Sequence, residues 1–249
     1  MRWLAFTKRT AKAIILDPLT VAFGLGMPVA LLLLLSAINS GIPEGHGPDN
    51  FKIENLTPGI NVFAMSFLTL MAGLLLSKDR GSSLLQRLLT TPLTAVDYIV
   101  GYMLPLIPIA LLQGVVCYGF ALILGLSFTA NIFLAILISM IPALLFTSLG
   151  LLLGTILNEK QVGGICGALV TNLTAWTSGA WFSLDMVGGV FKTIGQILPF
   201  YHAVEMQKAI LNGEYSGIFT EGHLWVVLGY TVVLCVLSVI LFTSKMHEK

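Results

Sequence analysis

The chain has 249 residues, of which 56% are hydrophobic and only 10% charged, with a formal net charge of +1. A soluble domain carries about 25% charged residues, so an ordinary soluble fold is excluded, and the near-zero balance gives no sign of a nucleic-acid partner. The charges fall between long gaps: residues 18–43, 55–77, 98–158, 161–184 and 222–244 contain no Asp, Glu, Lys or Arg.

A helix crossing the hydrocarbon layer needs roughly 20 apolar residues. Four gaps fit one helix each, and the longest fits two, joined at the polar run Ser127, Thr129, Asn131. The expected fold is an all-α integral membrane protein with six transmembrane helices in a single domain, residues 1–249. With the N-terminus inside, Arg2, Lys8, Arg9, Lys12, Lys78, Arg80, Arg87, Lys160, Lys245 and Lys249 face the cytoplasm, and Lys52, Lys192 and Lys208 face outward. That bias orients a multi-pass protein of the cell membrane with both termini cytoplasmic.

Residues 1–17 read as an amphipathic interfacial helix. Trp3, Leu4, Phe6, Ala11, Ile14 and Ile15 share one broad face, and Arg2, Lys8, Arg9 and Lys12 share the other. Such a helix lays its apolar side among lipids and its cations near anionic headgroups. The apolar run that follows is too long for the h-region of a cleaved signal. The first span is expected over 19–38 and the second over 59–77, with an external loop between them reaching Pro58.

The inner loop 78–97 follows. Leu84, Leu85, Leu88 and Leu89 form one face of a short helix, with Ser82, Ser83, Gln86 and Arg87 on the other and Pro92 ending it. Thr94 and Asp97 have the spacing of a capping box that starts the third span. A short amphipathic helix held between the inner ends of two spans is a lever on which a cytoplasmic body could push.

The third span is expected over 98–126, the fourth over 132–157, and the fifth over 161–183 after the turn Asn158, Glu159, Lys160. Pro28, Pro105, Pro108 and Pro142 are expected to kink their spans. Gly150 with Gly154, and Gly163 with Gly167, have the spacing that lets helices approach closely within the chain. Cys117, Cys166 and Cys235 lie in spans and read as packing residues. The external region 184–222 contains a stretch, 188–211, too charged to cross and too apolar to float. A pair of short re-entrant helices interrupted at Pro199 fits it. The sixth span is expected over 223–243.

Much chemistry is missing. No carboxylate, Lys or Arg lies deep in a span, which disfavours ion-coupled carriers and rules out aspartyl proteolysis. Trp176, Thr177, Ser178, Gly179 lacks the first glycine of the G-x-S-G of intramembrane serine proteases. The histidines show no helical i+4 pairing, His202 with Glu205 is an unspecific HxxE, and no phosphate-binding loop is present. No catalytic, cofactor or metal site is therefore expected on this chain.

The inner loop resembles the membrane subunits of type-2 ATP-binding-cassette (ABC-2) exporters, which carry E-R-x-G-T-L-E-R-L-L-x-T-P between their second and third spans. Aligned on Pro92, the chain has Asp79 and Arg80 in the charged lead-in, and Leu85, Arg87, Leu88, Leu89, Thr91 and Pro92 agree. Ser83, Leu84 and Gln86 replace the family's glycine, threonine and glutamate. Leu198, Pro199, Phe200 and Tyr201 are similar to the family's external re-entrant region.

The resemblance implies a permease without enzyme activity of its own, driven by a separate ABC ATPase in two copies that carries ATP and magnesium. It implies a second permease chain, identical or a sister, and contact with membrane lipid. Asp79, Arg80, Leu84, Leu85, Gln86, Arg87, Leu88, Leu89 and Pro92 would couple to the ATPase, with 81–91 as the coupling helix. By topology, Phe63, Phe67 and Leu70 of the second span and Asn172, Trp176 and Phe182 of the fifth would line the path. An aromatic, uncharged path suits export of an amphipathic or lipid-like drug, antibiotic, peptide or lipid. The alternatives are a stand-alone immunity or sensor protein and a membrane-embedded enzyme.

Overall fold

The computed structural model describes residues 2–43, 49–82 and 93–247, and among these every regular element is helical. An interfacial-length helix α1 (Arg2–Ile15) leads into α2 (Pro18–Ser40). The central helix α3 (Ile53–Gly81) follows. The next run is broken into α4 (Ala95–Met103) and α5 (Leu106–Ile123). The one after it is broken into α6 (Asn131–Ile138) and α7 (Met140–Ile156).

The breaks have local causes. Leu104–Pro105 separates α4 from α5, where a proline lacks the N–H that would continue the ladder. Ser139, three residues before Pro142, separates α6 from α7, and its hydroxyl donates to the Ile136 carbonyl at 2.5 Å. The capping box expected at Thr94 and Asp97 is present at the start of α4.

The fifth apolar run is α8 (Glu159–Gly164), a π-helical segment (Ile165–Val170) and α9 (Thr171–Thr177). It ends at Thr177 instead of reaching 183. The Thr171 hydroxyl donates to the Cys166 carbonyl five residues back, at 3.1 Å. α10 (Leu184–Val187), α11 (Gly189–Ile197), α12 (Pro199–Asn212) and α13 (Tyr215–Thr220) come next. α14 (His223–His247) closes the chain. The expected pair of short helices over 188–211 is α11 and α12, parted at Leu198 and Pro199.

Among the described residues four helical runs are long and apolar enough to cross a membrane: Ile53–Gly81, Ala95–Ile123, Asn131–Ile156 and His223–Ser244. Gly24–Ser40 is apolar but shorter. The fold is thus all-helical and that of an integral membrane protein. α3 begins at Ile53, six residues before the expected start. Glu54 in its first turn suits the positive end of a helix dipole and extends the helix beyond the purely apolar stretch.

α3 is buried along most of its length and packs on α7, α2, α5 and α12, while α14 lies outside against α7 and α12. The α3–α7 seam depends on glycine: a Cβ on Gly154 would come within 2.7 Å of the Gly73 carbonyl oxygen, and one on Gly150 would overlap the Thr69 carbonyl. Gly163 has nothing within 4 Å, and Gly167 meets only the Leu70 side chain at 3.5 Å, so this second glycine pair makes no close seam.

Polar bonds between helices supplement the packing, as is usual where apolar burial gives no contrast with lipid. Thr69 donates to the Phe146 carbonyl at 2.9 Å, and Ser238 to the Ser148 carbonyl at 3.1 Å. Asn61 and Tyr118 both donate to Gln207 Oε1, at 2.9 and 3.2 Å.

Candidate functional site

At one end of the helix bundle a polar bracket surrounds Asp79, near the end of α3. Asp79 accepts two bonds from the Arg9 guanidinium of α1, the Nη2 bond at 2.7 Å, and a third from the Tyr102 hydroxyl of α4 at 2.8 Å. The carboxylate raises the guanidinium pKa of Arg9 above its ordinary value, outweighing the lowering effect of burial. A fork of two parallel N–H donors onto one carboxylate fixes direction as well as distance.

Apolar packing holds α1 in the same register. Phe6 stands edge-on to Tyr98 at 5.3 Å and to Tyr102 at 4.9 Å. It occupies a slot left by Gly101, where any Cβ would overlap its ring. Tyr98 in turn lies 5.5 Å from Phe242 of α14. The buried line of α1 is Phe6, Thr10 and Ile14, narrower than the face expected from periodicity, and Leu4 and Ile15 stay exposed. The Thr10 hydroxyl turns back to the Phe6 carbonyl at 3.0 Å, which lets a threonine sit in that line.

One residue further along α3, Arg80 donates to the Gly154 carbonyl at 2.6 Å and to the Leu157 carbonyl at 3.4 Å. These are among the carbonyls that lack a partner in the last turn of α7, where a cation also suits the helix dipole. A capping box of Asn158 and Gln161 starts α8 directly afterwards, and Lys78 lies 3.8 Å from Glu159. The Ser82 hydroxyl donates to the Asp79 carbonyl at 2.9 Å. The bracket thus joins the end of α3, from Asp79 to Ser82, to α4, whose start is capped by Thr94 and Asp97.

Of the residues expected to face an ATPase, Leu84, Leu85, Gln86, Arg87, Leu88, Leu89 and Pro92 lie outside the described residues. Asp79 and Arg80 are described, and both turn inward: they clamp α1, α4 and α7 to α3. The sequence singled out neither Tyr102 nor Gly101, and it placed Phe6 and Arg9 only on the two faces of the first helix, without these partners. A single carboxylate at the inner end of an apolar helix was the available signal, because such a group needs a cationic partner once it is buried.

The path residues divide. Phe63 is buried and stands edge-on to Phe67 at 6.0 Å and to Trp181 at 5.5 Å. Phe67 and Leu70 are half-buried on α3. Asn172 and Trp176 lie exposed one turn apart on an open stripe of the fifth run, beside Ala168, Leu169 and Leu173. The Asn172 amide donates to the Ala168 carbonyl of its own helix at 2.8 Å, and among the described residues it bridges to no other helix. Phe182 is half-buried and tilted against Phe191 at 6.1 Å. Among the described residues no group of His, Cys, Asp and Glu could hold a metal ion.

The family model for the ABC-2 type transporter matches residues 1–212. Nodulation protein J of Rhizobium leguminosarum bv. viciae is 25% identical over 225 residues, covering 86% of this chain and 83% of that protein. Matched by that family model over most of its length, the chain belongs to the ABC-2 type transporter family.

Proposed function

We propose that the chain is the permease subunit of an ATP-driven exporter of the cell membrane. Six helices cross the bilayer, the first α2 and the fifth the segmented run 159–177, with both termini in the cytoplasm. Two permease chains, identical or sister, work with two copies of a separate ABC ATPase that holds ATP and magnesium. The coupling helix expected over residues 81–91 docks on the ATPase, with Leu84, Leu85, Gln86, Arg87, Leu88 and Leu89 toward it and Pro92 ending it.

The observation that supports this reading best is the bracket. A push that reaches the end of α3 or the start of α4 is shared by α3, α4, α1 and α7, which Arg9, Asp79, Tyr102 and Arg80 join. Asp79 and Arg80, expected to couple to the ATPase, pass the movement on to α1, α4 and α7. The open stripe with Asn172 and Trp176, together with Phe67 and Leu70, offers an aromatic, uncharged surface, which suits an amphipathic or lipid-like cargo. α1 lies at the inner interface and contacts lipid through its exposed residues.

The test is to purify the chain from its native membrane and look for a stoichiometric ATPase whose hydrolysis is stimulated by amphipathic compounds. A chain that stays without an ATPase under conditions that preserve membrane complexes would refute the proposal.

A further inference from the structure

A line of three polar contacts joins the outer hairpin α11–α12 to the start of α14, and nothing in the transport reading uses it. His202 Nε2 lies 2.7 Å from the Gln196 carbonyl oxygen near the end of α11. His202 Nδ1 lies 2.7 Å from His223 Nδ1, and His223 Nε2 lies 2.9 Å from Glu221 Oε2.

Donors and acceptors can be counted along this line. A carbonyl only accepts, so His202 carries its proton on Nε2, and as a neutral ring it presents Nδ1 as an acceptor. His223 must then donate from Nδ1 to His202. An ionised carboxylate also only accepts, so the contact between His223 Nε2 and Glu221 needs another proton. Three contacts require three protons, while two neutral imidazoles and one carboxylate supply two.

We propose that His202, His223 and Glu221 form a proton-binding latch, which takes up one proton beyond those of two neutral rings and thereby ties the outer hairpin to the last membrane helix. The added proton sits between His223 Nε2 and Glu221 and makes that contact a charge-assisted bond. Without it two acceptors face each other and the line parts. The Glu221 side chain is 67% exposed and that of His223 only 9%, so the proton enters from the aqueous side and is held at the protein side.

The surroundings leave this site to itself. Glu205 is taken by Lys208 at 2.9 Å, and Asp185 by Lys192. Tyr201 stands edge-on to His202 at 5.6 Å and to His223 at 6.1 Å. Burial, with smaller contributions from Glu205, Asp185 and Glu221, pushes its phenol up to about 12, so it keeps its proton and does not compete. Burial also holds the His202 imidazole below its ordinary value, against the opposing pull of the Gln196 carbonyl, and so keeps it the neutral acceptor. Acid strong enough to charge His202 as well removes that acceptor and opens the latch again. A metal ion fits poorly, because the contacts to His202 and Glu221 use different nitrogens of His223 and do not converge on one point. Proton counting holds for either orientation of the chain; in the orientation proposed above, the latch responds to external pH.

The full chain in lipid nanodiscs provides the test, by hydrogen exchange of peptides spanning 189–223 at about pH 8 and about pH 6, corrected for intrinsic exchange. Local opening in the wild type should fall about tenfold on acidification, the effect of one charge-assisted bond. His223→Gln and Glu221→Gln, which keep size and polarity but cannot share the proton, should lose that change. Glu221 is exposed, so its variant carries the test if the His223 variant does not insert. PH-independent opening in the wild type, or an unchanged pH response in Glu221→Gln, would overturn the proposal. So would zinc at about pH 8 protecting the segment as well as acid does, because the site would then be a metal site.

Discussion

Asp79→Asn keeps the shape of the side chain at the centre of the inner bracket and removes its charge. The Asp79 side chain is 10% exposed and that of Arg9 is 38%. Breaking a fully buried ion pair from one side costs about 3–5 kcal/mol. Here water recovers part of the loss on the guanidinium, so Asp79→Asn is expected to cost about 2 kcal/mol. Arg9→Gln strands the more buried partner, with Tyr102 as its remaining donor, and is expected to cost about 3 kcal/mol. Tyr102→Phe removes one of three bonds to the same carboxylate and costs about 1 kcal/mol. The two charge variants share one interaction, so the double variant should cost less than their sum by about 1–2 kcal/mol. Reversible unfolding of the whole chain in mixed micelles measures all four free energies. Strictly additive costs for Arg9→Gln and Asp79→Asn would refute the claim that this pair holds α1 to α3.

Other expectations concern packing and the path. Gly150→Ala forces a methyl against the Thr69 backbone, which cannot swing aside, and should cost about 3 kcal/mol in the same unfolding assay; Gly163→Ala, with open space around it, should cost nothing measurable. Equal effects of the two would contradict the α3–α7 seam. Asn172→Ala should change stability by less than about 0.6 kcal/mol, since its amide bonds only to its own helix, while altering which compounds stimulate transport. A large stability loss with unchanged compound preference would remove Asn172 from the path.

The membrane class and the four long apolar runs followed from charge-free gaps, because a charge near the bilayer centre is costly wherever the span lies in the sequence. Local signals also carried well: the Thr94–Asp97 capping box and the break at Pro199 involve residues close in sequence. Long-range pairs did not. Arg9 and Asp79 are 70 residues apart, and the pattern placed Arg9 on a lipid-facing cationic surface instead of in a bracket. The two glycine pairs look identical in sequence, and only the neighbouring backbone distinguishes Gly150 and Gly154 from Gly163 and Gly167. The π segment that interrupts the fifth run depends on bonds skipping one carbonyl further back, a choice that apolar periodicity does not record.

The central claim is that residues 83–92 receive the push of ATP hydrolysis and that the bracket passes it to the spans. The most direct measurement compares transport, and ATPase activity stimulated by cargo, in the complete transporter carrying Arg87→Glu or Leu88→Asp. Both variants should insert and fold as the wild type does, with transport abolished and stimulation lost. Full transport and full stimulation in either variant would contradict the account.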